Sequence, residues 1–164
     1  MIVNKTELEG VLLIKPEIYE DSRGNLSELY NKKEFKKKNI NIKFVQDTIS
    51  VSTKQVLRGI HGDKKTWKLI SCLHGCIYVV VVDCRKENFG KWLPFTLSGH
   101  NKNQVLVPPG YGLAHLVLSK EAIFHYKQSE YYDRESQFTY RYDDERFNIW
   151  WPNISPHLSE RDEG

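Results

Sequence analysis

The run CIYVVVVDC, Cys76–Cys84, narrows the possible folds more than any other stretch of this chain. A strand with one wet face alternates apolar and polar side chains. This one does not, so both of its faces need cover, as in the middle of a sandwich. Its neighbours can be read from the same sequence. FVQDTISVS, Phe44–Ser52, alternates with period two and predicts a strand. Val56–Ile60 predicts a strand that stops at His61, and Lys68–Cys72 a short one before a turn at His74 and Gly75. Trp92–Leu97 and Gln104–Val107 follow, then a hairpin of His115–Ser119 and Ile123–Gln128. Upstream, Leu8–Ile18 and Leu26–Tyr30 alternate weakly, and Lys32–Asn39 can form one short helix anchored by Phe35.

About ten short strands at a spacing of roughly eight to twelve residues, with almost no helix, mean a sandwich or barrel. The expected fold is all-β: a cupin-type double-stranded β-helix, or jelly roll, in one domain over residues 1–164. Such a body stays open at one end, where inward side chains make a ligand site. From Tyr131 the chain turns to Asp, Glu, Arg and aromatic residues. This short helical or irregular tail is expected to cover an opening of the body, with Trp150, Trp151 and Pro152 closing it down.

Composition excludes several classes. A net charge of +3 is too mild for a nucleic-acid binder, and much of it sits in Lys32, Lys33, Lys36, Lys37 and Lys38, a run that reads as a solvated face. GVLLI at Gly10–Ile14 is too short for a signal peptide or a membrane span, and no later run approaches one. Three cysteines, an odd number without a secretory signal, argue for reduced thiols in a cytoplasm. Cys72 and Cys76, four apart as on one strand face, read as core side chains rather than half of a zinc site.

Chemistry concentrates in VLRGIHGDKKTWK, Val56–Lys68, where one histidine stands among cations. An imidazole beside cations can take a proton from a carbon acid on an anionic substrate. The plainer reading of His61 is a satisfied structural residue at a strand end. Tyr126 is likewise readable as a barrel aromatic, Lys68 as a solvated strand-end cation and Asp162 as a tail acid. No two of the six histidines stand two apart, which disfavours a metal cupin, although ligands can converge from separate strands. With no GxGxxG or GxxxxGK[ST] pattern, nucleotide phosphates would have to be held by Arg and Lys.

Ordered segments then carry a resemblance. DSRGNLSE (Asp21–Glu28), FVQD (Phe44–Asp47), VLRGIH (Val56–His61), KLISC (Lys68–Cys72), VPPGY (Val107–Tyr111), YKQSEYY (Tyr126–Tyr132) and LSERD (Leu158–Asp162) are similar to the dTDP-4-dehydrorhamnose 3,5-epimerase family. The resemblance implies an isomerase without metal or organic cofactor, acting on a nucleotide-diphosphate 4-keto sugar. It implies that His61 is the base, paired with Asp162, that Tyr126 is the acid on the opposite face, and that Lys68 stands at the ketone oxygen. Arg23, Glu28, Gln46 and Arg58 match positions that bind substrate. It also implies a homodimer that exchanges N-terminal strands.

Two segments depart from the family. PEGFAHGF becomes PPGYGLAHL, which moves the histidine to His115 and leaves Leu113 in its place, and HGDKKTWK replaces a longer loop. His115 is expected among the substrate-binding residues, and both segments border the expected sugar pocket. In them the chain resembles a subgroup from bacterial capsule pathways that epimerises GDP-linked 4-keto-heptoses at C3 and C5, or at C3 only. The alternative is a dTDP-4-keto-6-deoxyglucose epimerase. More distant readings are a non-catalytic sugar-binding cupin and a metal-dependent one.

Overall fold

A computed structural model describes residues 1–152 and 155–164. The strands are β1 (Ile2–Lys5), β2 (Leu12–Lys15), β3 (Tyr19–Asp21), β4 (Gly24–Leu26), β5 (Gln46–Thr53), β6 (Leu57–Gly62), β7 (Lys68–His74), β8 (Cys76–Asp83), β9 (Trp92–Ser98), β10 (Gln104–Val107), β11 (Tyr111–Val117), β12 (Glu121–Gln128) and β13 (Phe138–Thr139). Helices α1 (Lys32–Lys37) and α2 (Glu160–Glu163) complete the set, with one 3-10 turn at Arg134–Ser136. A six-stranded sheet in the order β1-β2-β10-β7-β12-β5 faces a five-stranded sheet in the order β13-β6-β11-β8-β9. This is the expected jelly roll, and β3–β4 form a separate hairpin.

Strand β8 is covered on both faces, as its sequence requires. Ile77, Val79 and Val81 point between the sheets into the main core with Ile70, Leu97, Val105 and Val117. Tyr78, Val80 and Val82 point outward and are buried under the tail by Phe147 and Trp151. A Val or Leu side chain removed from water in this way contributes about 1.5–3 kcal/mol. Trp151 is fixed by its indole N–H, which donates to the Tyr142 carbonyl at 2.9 Å. The outer face of the other sheet is covered by α1, where Phe35 packs with Ile14, Leu69 and Leu106. Asn31 caps that helix by accepting from the Lys33 and Glu34 amides.

Several sequence expectations shift. The expected strand Leu8–Ile18 shortens to β2, because Leu8 and Val11 turn into the core ahead of it, and β1 is an additional strand upstream. Leu26–Tyr30 is not a strand. Only its first residue stays in the β3–β4 hairpin, and Tyr30 leaves to pack edge-on against Phe35 and Phe44. Strand β6 runs through His61 to Gly62, and β11 begins at Tyr111 rather than His115. Cys72 and Cys76 lie on successive strands across the Gly75 turn, and only Cys72 is fully buried. The tail mainly covers the outside of the five-stranded sheet, and among its described residues Tyr132, Gln137, Ser159, Arg161 and Asp162 reach the open end. Asn153 and Ile154 of that tail lie outside the described residues.

Candidate active site

A cavity of about 350 Å³ opens at one end of the sandwich, lined by both sheets and by the tail. The way β6 reaches it explains the RGIHG sequence. Arg58 and His61 are three residues apart, so on a regular strand they would face opposite ways. The pairing of β6 with β11 shifts register between them: His61 stands opposite Leu113, but Arg58 stands opposite His115. The extra residue on β6 is a bulge, and it turns both side chains into the cavity. The two glycines allow it. A Cβ at Gly59 would strike the Leu113 carbonyl, and one at Gly62 would strike the Tyr111 carbonyl and the Phe138 ring.

His61 is half-buried and contacts Asp162 through Nε2, at 2.6 Å from Oδ1. Asp162 is itself buried, and its Oδ2 accepts from the Ser159 hydroxyl at 2.8 Å. Burial opposes ionisation of this carboxyl. Hydrogen bonds from His61 and Ser159, the His61 charge and the Gly59 amide outweigh it and hold Asp162 below its ordinary value. An ionised partner on Nε2 fixes the tautomer, leaves the Nδ1 lone pair as the base, and stabilises the imidazolium once it forms.

Lys68 begins β7 and Tyr126 lies on the adjacent β12, with the ammonium 5.9 Å from the phenol ring centre. Burial is the main cause that pushes the Lys68 ammonium below its usual value; Arg161 adds to it and Asp63 opposes it. A cation poorly solvated in this way interacts strongly with an oxyanion placed beside it. Arg58 is steadied by its Nε, which donates to the Ser52 hydroxyl at 3.0 Å. His115 stacks on Phe124 at 4.2 Å on the cavity floor. Burial, with Arg58 and His61 nearby, pushes its imidazole down to about 3, so it is neutral at ordinary pH.

Of the residues singled out from sequence, His61, Lys68, Tyr126, Asp162, Arg58 and His115 therefore converge on one cavity. Gln46 stands at its margin, where its side-chain oxygen accepts from the amide of the lining residue Tyr132 at 3.0 Å. Arg23 and Glu28 are not brought to it within one chain. Arg23 sits on the exposed β3–β4 turn, paired with Asp21 at 2.6 Å, and Glu28 lines a separate groove beside α1. Sequence reasoning missed Thr48, Ser50, Gln128, Gln137, Ser159 and Arg161, all of which line the cavity. Polar positions of the alternating FVQDTISVS stretch were a signal for Thr48 and Ser50. Among the described residues, no group of three His, Cys, Asp or Glu stands together as a metal-binding set. Among the same residues no helix is long and apolar enough to cross a membrane.

Comparison with known proteins agrees with this geometry. A family model described as dTDP-4-dehydrorhamnose 3,5-epimerase matches residues 5–164. Enzymes of that name from Escherichia coli and Shigella flexneri are 41% and 39% identical to this chain, each over 99% of it and over 92% and 93% of their own length. A Legionella pneumophila enzyme solved with dTDP-4-keto-L-rhamnose superposes with a TM-score of 0.93 at 38% identity, covering 99% of this chain and 89% of that one. A Bacillus anthracis enzyme solved with TDP and PPi gives a TM-score of 0.94 at 35% identity, covering 99% and 96%. The fold, the four converging groups and these matches agree: the chain belongs to the dTDP-4-dehydrorhamnose 3,5-epimerase family.

Proposed function

We propose that the protein is a cofactor-independent epimerase that inverts C3 and C5, or C3 alone, of a nucleotide-linked 4-keto sugar. The observation that carries this reading is the 2.6 Å His61–Asp162 contact in the same cavity as Lys68 and Tyr126. The ketone acidifies the neighbouring C–H bonds. Nδ1 of His61 takes the proton, the C–H electron pair moves into an enolate, and Lys68 stabilises the oxygen that gains charge. Tyr126 then returns a proton to carbon from the opposite face. His61 keeps one proton more and Tyr126 one fewer, and exchange with water resets both. Arg58 and Arg161 are the cations available to the diphosphate.

Every relative named above bears a dTDP-sugar name, which favours a dTDP-linked 4-keto-6-deoxyhexose as substrate. The GDP-linked 4-keto-heptose reading draws on the departing loop. There Asp63 accepts from the Lys65 and Thr66 amides at 2.8 and 2.6 Å and from Gln137 at 2.9 Å, so the loop sets a residue of the cavity wall. Incubation with dTDP- and GDP-linked 4-keto sugars in deuterated water, followed by NMR, tests both. Deuterium is expected at C3 and C5, or at C3 only; no incorporation with any of them rejects the epimerase reading.

The working unit we propose is a cytoplasmic homodimer in which the partner supplies Arg23 and Glu28. In support, the β3–β4 hairpin forms a sheet of its own with Tyr19 and Leu26 exposed, and the outward face of edge strand β5 exposes Ile49 and Val51.

A further inference from the structure

The cavity floor holds two polar atoms that nothing in the fold satisfies. Nε2 of His115 is buried without a hydrogen-bond partner, on a side chain only 5% exposed. Ser50 Oγ, on the opposite sheet, is also buried and unpartnered. The two belong to one place. Ser50 is the ladder partner of Phe124, and His115 stacks on the Phe124 ring with an interplanar angle of 22°. Both residues line the cavity beside the apolar side chains of Val79 and Leu113.

An unpaired buried polar group is costly, so such atoms are normally matched when the site is filled. The match here has a definite chemistry. His115 is held neutral by burial and by Arg58 and His61, with Asp162 the opposing charge nearby. A neutral imidazole and a hydroxyl offer no counter-charge to a phosphate or carboxylate, whose place is with Arg58, Arg161 and Lys68. They do offer a donor and an acceptor, which is what a sugar hydroxyl requires. Next to them Leu113, directly opposite His61, gives only apolar contact.

We infer that His115 and Ser50 together hold one neutral hydroxyl of the sugar on the cavity floor and select among 4-keto sugars by hydroxyl pattern. This rests on the epimerase reading above and specifies its substrate. A site built to bond a hydroxyl discriminates strongly against the analogue that lacks it, because its own polar groups are then left unpaired.

The test pairs variants with substrates. Wild type, His115→Phe and Ser50→Ala are assayed on nucleotide-linked 4-keto-hexoses matched except for one hydroxyl, at C2 or at C6. In wild type, loss of one of these hydroxyls should lower kcat/KM about tenfold or more. In His115→Phe that penalty should largely vanish, and in Ser50→Ala it should shrink. An equal penalty in wild type and His115→Phe at both positions overturns the inference. Should His115→Phe fail to fold by circular dichroism, Ser50→Ala decides the same comparison. Calorimetric affinities for the same pairs read the coupling without turnover. Absent deuterium exchange would thus count against the epimerase reading, and absent coupling against the hydroxyl contact.

Discussion

Strands β5 and β8 are each eight residues long and both border the interior, yet they use their faces in opposite ways. β8 is buried on both sides by the chain's own side chains, valines within and valines under the tail. β5 turns Thr48, Ser50 and Ser52 inward, while Ile49 and Val51 face out at 57% and 52% exposure. A strand with hydroxyls inside and aliphatics outside contradicts the logic of a solitary sandwich. It makes sense when the inside meets a polar ligand and the outside meets another apolar surface. The β8 pattern is thus accounted for by folding alone, and the β5 pattern fits the ligand and the partner surface proposed above.

Perturbing each side should separate these roles. The largest effect belongs to the cavity: His61→Asn should cut deuterium exchange at C3 by about 10²–10⁴-fold with the circular dichroism spectrum unchanged. Retained exchange would mean that another group is the base. Within β8, Ile77→Ala should cost about 2–5 kcal/mol in urea denaturation and leave kcat per folded molecule as it was. A drop in kcat instead would show that core and site are not separable. On the outer face of β5, Ile49→Lys with Val51→Lys should halve the mass seen by light scattering; a dimer that survives both charges places the interface elsewhere.

The smallest effect is the pH dependence of stability. Asp162 is held below its ordinary value of 3.8 in the folded chain, as are Asp63 and Asp83. Their ionised forms add stability that is fully present above that value and is lost as pH falls through the lower, folded values. Tm should therefore drop on acidification below about pH 4. Asp162→Asn should flatten the drop in part, and an identical profile would show that this pairing adds nothing to stability.

Much of this was legible in the sequence, for identifiable reasons. Two-sided hydrophobicity located β8, and period two located β5. The family-like segments gave His61, Lys68, Tyr126 and Asp162, which the fold then brought together. What could not be read was parity. Alternation says that β5 has two faces but not which one looks in, and in β5 the usual rule assigns them wrongly. The three-residue step from Arg58 to His61 likewise suggests opposite faces until the bulge against β11 is seen. Glycines flanking a histidine hint at close approach but do not specify it. The tail was expected at the opening because its composition is aromatic and charged. Its large rings found the outer face of β8 instead, where Tyr78 and Val80 needed cover.

His61 and Asp162 are separated by 101 positions in the chain. During synthesis the histidine emerges well before the carboxylate that lies beside it in the folded chain. The pair proposed above as the base therefore exists only once β6 and the C-terminal helix have met. Under the proposed mechanism, proton exchange then reports that the C-terminal segment has docked on β6.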